Sequence, residues 1–375
     1  MSDLVLEIAD WSVISPFGAG KAEFVDGLRS GRSTVVKLDD GDDRPAGQLA
    51  CLVPDFDPRV ALGRKGTRMM NRVTGLAVST VGDLIGGFEL DPVSRESVGL
   101  VLGTSVGSAQ STIDLTRESL TGEKPFHVEP GLIPYAVMNG SAGQCAIWHG
   151  LKGPNVTLAA GRPVGLLALA YARRLLLTGR AQTVLCGAAE EFSQARAWLA
   201  RHSSGEPGTD QPLGEGCVMF AVRLGQAGQQ AQPQQTQPRP TAVLGIRTAI
   251  CSDGDWAGAV RRCVTGLLEE QRLAPGDLTT VCPSDALGLP GVGERTALAE
   301  LFDPAVVTMP VTELIGETHA ASAAFQLAAL LATPAGPADD GRPGLSLATS
   351  VDDSGTVAAV LITADRTSDK EAAAR

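Results

Sequence analysis

Aromatic residues make up only 4% of this 375-residue chain, histidines number four, and acidic side chains outnumber basic ones by 42 to 31. Each scarcity excludes something. A formal net charge of −11 leaves no basic footprint for nucleic acid or an anionic membrane surface. His127, His149, His202 and His319 stand at no metal-ligand spacing, so no metal is expected. The cysteines (Cys51, Cys145, Cys186, Cys217, Cys251, Cys263 and Cys282) are odd in number, lie mostly in apolar runs and form no C-x-x-C pair. Neither a disulfide framework nor a zinc site is indicated, and a reducing compartment fits. The opening "MSDLVLEIADWSV" has no basic stretch followed by an apolar one, and no segment approaches the roughly 18 uninterrupted apolar residues of a membrane helix. A soluble, cytoplasmic protein is the expectation.

What the chain has is a 43% hydrophobic content and 44 glycines, enough for a large core packed through small side chains. One low-complexity stretch, "GQAGQQAQPQQTQPRP" at 225–240, cannot bury enough surface to order itself and divides the chain. The first part, 1–224, reads as strand "LVLEIADWSVIS", a helix near 65–86, strand "VGLVLG", a helix, strand "NVTLAA", a helix over 163–178, and strands "TVLCGA" and "CVMFAVRL". The second, 241–366, repeats that order: strand "TAVLGIRTAI", helix 257–272, strand "LTTVCPS", helix 293–301, strand "AVVTMPV", helix 320–332, and strands "GLSLATS" and "TVAAVLITA". Residues 367–375 read as a flexible tail. Helices 163–178 and 320–332 are apolar almost all round, so each should lie between layers. Two similar α/β halves stacked as an α-β-α-β-α sandwich follow.

Several segments resemble the β-ketoacyl synthase branch of the thiolase fold: "SVISPFGAGKAEFVDGLRSGRS", "LGRKGTRMMNRVTGLAVSTV", "GLVLGTSVGS", "IPYAVMNGSAGQCAIWHGLKGPNV" and "PLGEGCVMFAV", in that order. The resemblance implies a cysteine at a helix N-terminus, where the helix dipole lowers a thiol's pKa and stabilises an oxyanion, with two histidines assisting decarboxylative condensation. This chain departs at each position. Arg162 stands for the cysteine, Pro283 or Ser284 for the first histidine, Glu317 for the second and Thr312 for a lysine, while the glycine-rich gate reads "TSVDDSG". His319 lies two residues past the expected histidine and is not counted as its survivor.

Coordinated loss of this kind implies a chain length factor, the ketosynthase β subunit of a type II polyketide synthase. Such factors usually carry glutamine at the position of Arg162, and the short segment after "GAAEEFSQARAWLARHSSG" is closer to the polyene type. The resemblance implies a heterodimer with an active ketosynthase through the region of "GLIPYAVMNGSAGQCAIWHG". It also implies an acyl tunnel ending near Ala109, Ile113, Leu132 and Met138. Acyl groups would arrive on the phosphopantetheine of an acyl carrier protein, with no bound cofactor. Carrier proteins are acidic as a class, so docking is expected on the partner. Glu215 in "PLGEG" is expected to be structural. Two alternatives stay open: an enzyme with a non-condensing activity such as acyl transfer, hydrolysis or decarboxylation, and a homodimeric scaffold.

Three motifs compete with that reading. "GTSVG" fits the nucleophile elbow, with Ser105 as nucleophile and His319 as base, but a small-residue turn after a strand gives the same pattern. "GLPGVGE" at 288–294 reads as a loop, and Cys186 in "TVLCGA" as an inert buried thiol. Arg162 needs an anion, because a cation in the first turn of a helix opposes its dipole. Glu317 is the expected partner, in a two-hydrogen-bond geometry; the alternatives are Glu190, Glu191 or solvent.

Overall fold

The strand Gly216–Gln226 sends Val218, Phe220 and Val222 into one hydrophobic cluster and Cys217, Met219 and Ala221 into another. Strand Thr356–Ala364 repeats the pattern: Ala358, Val360 and Ile362 join the first of those clusters, while Val357, Ala359 and Leu361 enter a third. Alternation of period two therefore builds a central core shared by both halves and an outer core on each side. The computed structural model describes residues 4–38, 48–88, 95–203, 211–226, 240–307, 311–333 and 344–364. Gly225 and Gln226 close a strand. The rest of the Gln/Pro-rich stretch up to 239, and the tail, lie outside the described residues.

Leu4–Ser15 pairs antiparallel with Gly216–Gln226, which pairs antiparallel with Thr183–Glu190; Val98–Gly103 and Asn155–Leu158 follow in parallel. The second half copies this order and sense. Thr241–Ile250 pairs antiparallel with Thr356–Ala364, which pairs antiparallel with Gly344–Val351, followed in parallel by Thr280–Cys282. Antiparallel pairing of Leu4–Ser15 with Thr241–Ile250 joins the halves into one ten-stranded sheet, which includes the short strand Gly18–Ala19.

Helices Val164–Leu177 and Ser322–Ala332 fill the central layer, and nearly every residue of the second is buried. Arg72–Gly87 and Gly140–His149 cover one outer face; Trp256–Gln271 and Gly288–Leu301 cover the other. The expected five-layered sandwich is the observed one. The central helices approach through Gly165, where an added Cβ would stand 2.7 Å from the backbone nitrogen of Ala324. Gly165→Ala should therefore cost about 1–3 kcal/mol in urea unfolding despite alanine's better helix propensity.

Three expected elements differ. The helix near 65–86 starts only at Arg72, because the side chain of Asn71 caps it by accepting from the Thr74 N–H at 3.0 Å. "AVVTMPV" is not a strand: Asp303 accepts from the Ala305 N–H at 2.8 Å and sets a 3-10 turn over Pro304–Val306. Only Val307 bridges to Val281, in the place of a fifth strand, and residues 308–310 lie outside the described set. "GLPGVGE" is not a loop but the start of helix Gly288–Leu301, its glycines fitting tight approaches to Ala286 and Trp256.

Candidate functional site: a buried arginine among carboxylates

The turn after strand Asn155–Leu158 reverses at Gly161, whose φ of 62° is left-handed and whose missing Cβ leaves room for the Asp352 carboxylate. Asp352 Oδ2 accepts from the Arg162 N–H at 3.0 Å and Oδ1 from the Ser354 N–H at 3.1 Å. Burial alone would push this carboxyl's pKa up; these N–H donors outweigh it and hold the group below the usual range. The arginine's backbone is thereby fixed.

The Arg162 side chain turns inward and is only 10% exposed. Its Nη2 forms an ion pair with Glu317 Oε2, and its Nη1 donates to the Ser284 carbonyl at 3.3 Å. The pair is end-on, not the expected two-bond fork. The other oxygen of Glu317 is already taken by the His319 N–H at 2.6 Å, as Nη1 is by Ser284. Glu190 faces His319 instead, and Glu191 accepts from Ser108 and Val73. The segment carrying Glu317 is held on both sides: its N–H donates to the Pro212 carbonyl at 2.7 Å, and its carbonyl accepts from the Gly214 N–H at 2.9 Å and Arg196 Nη2 at 2.6 Å.

Ser284 and Thr312 meet in the same place, with Thr312 Oγ1 at 3.5 Å from the Ser284 carbonyl. Pro283 stands beside them, its carbonyl accepting from the Gln326 side chain at 2.5 Å. Behind Ser284 lies the fully buried Glu294, which accepts from the Ser284 N–H and Oγ and from Thr349 Oγ1. Burial pushes the Glu294 carboxyl up, and it pushes Asp285 up to about 7, helped by Glu294 and Glu313. Burial also pulls the Arg162 guanidinium down, while Glu294, Asp352, Asp285 and Asp353 hold its charge in place. Sequence reasoning found Arg162 and Glu317 but missed Glu294 and Asp352. The acidic pair in "TSVDDSG" was the one available signal for the latter.

A separate cavity of about 580 Å³ has Leu52, Met69, Asn71, Ser108, Leu132 and Glu191 in its wall. Of the four tunnel candidates, Leu132 lines it. Ala109 is buried at the start of helix Ala109–Thr121, Ile113 is half-buried on the same helix, and Met138 is 43% exposed. Beside the cavity, Glu215 receives Arg72 through two short contacts, Nη2 to Oε1 at 2.6 Å and Nε to Oε2 at 2.7 Å. Glu215 also accepts from the Val53 and Phe192 N–H groups, which is a structural role. Burial pushes Glu191 up to about 7. Between its ordinary value and about 7 the folded state holds a proton that the unfolded state has released, so this group's contribution to stability is lost as pH rises through that window. Glu191→Gln should flatten the stability profile there, measured by urea unfolding from pH 5 to 8. The amide can still accept from Val73 and donate to Ser108.

The competing motifs do not assemble. Ser105 makes no hydrogen bond to His319 among the described residues, and the helix after it is capped by Ser108. Cys186 is fully buried, and burial drives its thiol far above the ordinary range.

Residues 8–220, more than half of the chain, match the family model for the N-terminal domain of β-ketoacyl synthases. The chain is similar to 3-oxoacyl-acyl-carrier-protein synthase 2 of Vibrio harveyi, 26% identical over 52% of this chain and 47% of that protein, so it spans about half the length of that relative. The match is longer to the tetracenomycin polyketide synthase ketoacyl synthase beta subunit of Streptomyces glaucescens, 27% identical over 85% of this chain and 83% of that one. Among solved structures, the ishigamide ketosynthase/chain length factor superposes with a TM-score of 0.86 at 38% identity, covering 96% of this chain and all of that one. The fold is thiolase-like. The chain belongs to the β-ketoacyl synthase family.

Proposed function

We propose that the chain is a non-condensing subunit of the chain-length-factor kind, which pairs with an active ketosynthase and shapes the acyl path of a type II polyketide synthase. The observation that carries this reading is the Arg162–Glu317 ion pair: a guanidinium and its carboxylate fill the space where the family's resemblance calls for a nucleophilic cysteine and a histidine. An arginine, always protonated, has no route to an acyl-enzyme. Of the other substituted positions, Ser284 accepts from the same guanidinium through its carbonyl and Thr312 contacts that carbonyl, and neither side chain restores a base.

Support for a partner comes from the surface. Val106, Ile133, Val137, Met138 and Ile147 are between 43% and 76% exposed, four of them within the region the resemblance implies for the interface. Strand Asn155–Leu158 ends the sheet with one edge unpaired among the described residues, which a second chain can extend. The acyl groups would travel on the phosphopantetheine of an acyl carrier protein, with no cofactor held by this chain, in the cytoplasm. No helix among the described residues is long and apolar enough to cross a membrane. Co-expression with a candidate ketosynthase tests the reading. A one-to-one complex by light scattering is expected; a chain that stays homodimeric beside every candidate synthase would support the scaffold instead.

A further inference from the structure

His319 has a left-handed backbone, φ 41°, which a non-glycine residue adopts only when its surroundings hold it there. Its Nδ1 is buried with no hydrogen-bond partner and points at Glu190 Oε2, 3.9 Å away. That oxygen is also buried and unpartnered, on a residue only 1% exposed. The imidazole is nonetheless 40% exposed, so the open edge of the ring is the one bearing Nε2. A buried carboxylate facing Nδ1 selects the tautomer protonated there and leaves Nε2 as a free base toward solvent.

We propose that Glu190 and His319 form a carboxylate–imidazole dyad with general-base activity toward water, hydrolysing neutral acyl thioesters. Nε2 takes a proton from water as the hydroxyl oxygen adds to the thioester carbonyl. The tetrahedral adduct then collapses by breaking the C–S bond, and the leaving thiolate takes the proton from the imidazolium, giving a carboxylic acid and a thiol. The groups facing the imidazole are Glu190 at the end of strand Thr183–Glu190, Arg196 on helix Gln194–Ser203, Asp352 and Asp353 on the turn after Gly344–Val351, Arg162, and Glu317 on its own segment. Carboxylates outnumber cations in this set. They stabilise the imidazolium as it forms and repel an anionic malonyl group. Burial lowers the imidazole's pKa, so the base form is present at neutral pH. The activity belongs to this chain with or without a partner.

The test uses the purified full chain with octanoyl- and malonyl-N-acetylcysteamine, following thiol release from pH 5 to 8. Octanoyl thioester should be hydrolysed above the buffer rate, falling on the acid side as the imidazole protonates, and malonyl thioester should not. His319→Gln should remove about 100-fold of the rate. Glu190 is a positioning residue: Glu190→Gln should lower the rate less and move the acid limb to lower pH, and Glu190→Asp should partly restore both. Nitrogen NMR of the unmodified chain should show the Nδ1-protonated tautomer. A rate equal to buffer, a wild-type rate in His319→Gln, or the Nε2-protonated tautomer would each overturn the dyad. Equal hydrolysis of both thioesters would overturn the substrate class.

Discussion

Replacing Arg162 with methionine lowers the stability of the chain by about 3–5 kcal/mol at pH 8, whereas Glu317→Gln costs about 1–3 kcal/mol. The asymmetry follows from the count of charges. Glu317 is one of several carboxylates around a single guanidinium, so its loss leaves Arg162 facing Glu294 and Asp352. Loss of the arginine leaves all of those carboxylates buried with no cation. The Glu294 carboxyl, already raised by burial, then rises further once the guanidinium that lowers it is gone, and the stability tied to a raised pKa is present at low pH and lost as pH rises through the folded value. The Arg162→Met deficit should therefore shrink toward pH 5, in urea unfolding across the pH range. Equal costs for the two variants would show that the ion pair is isolated and that Glu294 and Asp352 do not share the charge.

In a complex with an active synthase, Leu132→Trp should cut the longest product by about tenfold or more and raise one shorter by a two-carbon unit. Leu132 lies in the wall of the cavity of about 580 Å³, and an indole in place of an isobutyl group removes volume that a growing chain would need. Met138→Trp serves as the contrast. At 43% exposure on the apolar surface beside Gly107, that side chain should act on assembly with the partner and leave the product length alone. Product profiles by mass spectrometry, with complex formation measured in parallel, separate the two effects. An unchanged profile in Leu132→Trp would remove this cavity from the acyl path.

The layered fold was legible because both its periodicities are strong. Strands such as "CVMFAVRL" and "TVAAVLITA" are apolar on both faces, and the central helices are apolar all round, so neither can rest on a solvated surface. Boundaries set by side-chain caps were harder to read. Asn71 and Asp303 decide where an element begins, and a hydrogen bond from a cap carries no periodic signal. "GLPGVGE" misled for a related reason: its glycines look like loop residues, yet they are there so that helix Gly288–Leu301 can sit against Trp256 and Ala286. At the site, Arg162 and Glu317 could be paired because both fall where the family carries chemistry. The end-on geometry could not be foreseen, since it depends on which neighbours, the His319 N–H and the Ser284 carbonyl, claim the remaining atoms first. Glu294 was invisible because a buried acid in a helix looks like any surface glutamate in sequence.

The measurement closest to the central claim is the intact mass of this chain and of an active ketosynthase during turnover. The purified chain, an active ketosynthase and their complex are each supplied with acyl and malonyl groups on an acyl carrier protein, and condensation products are quantified. The account predicts products from the complex, an acyl adduct on the synthase alone, and none on this chain in any mixture. An acyl adduct on this chain, or condensation by it without the synthase, would contradict the reading of Arg162 as the occupant of a retired nucleophile site.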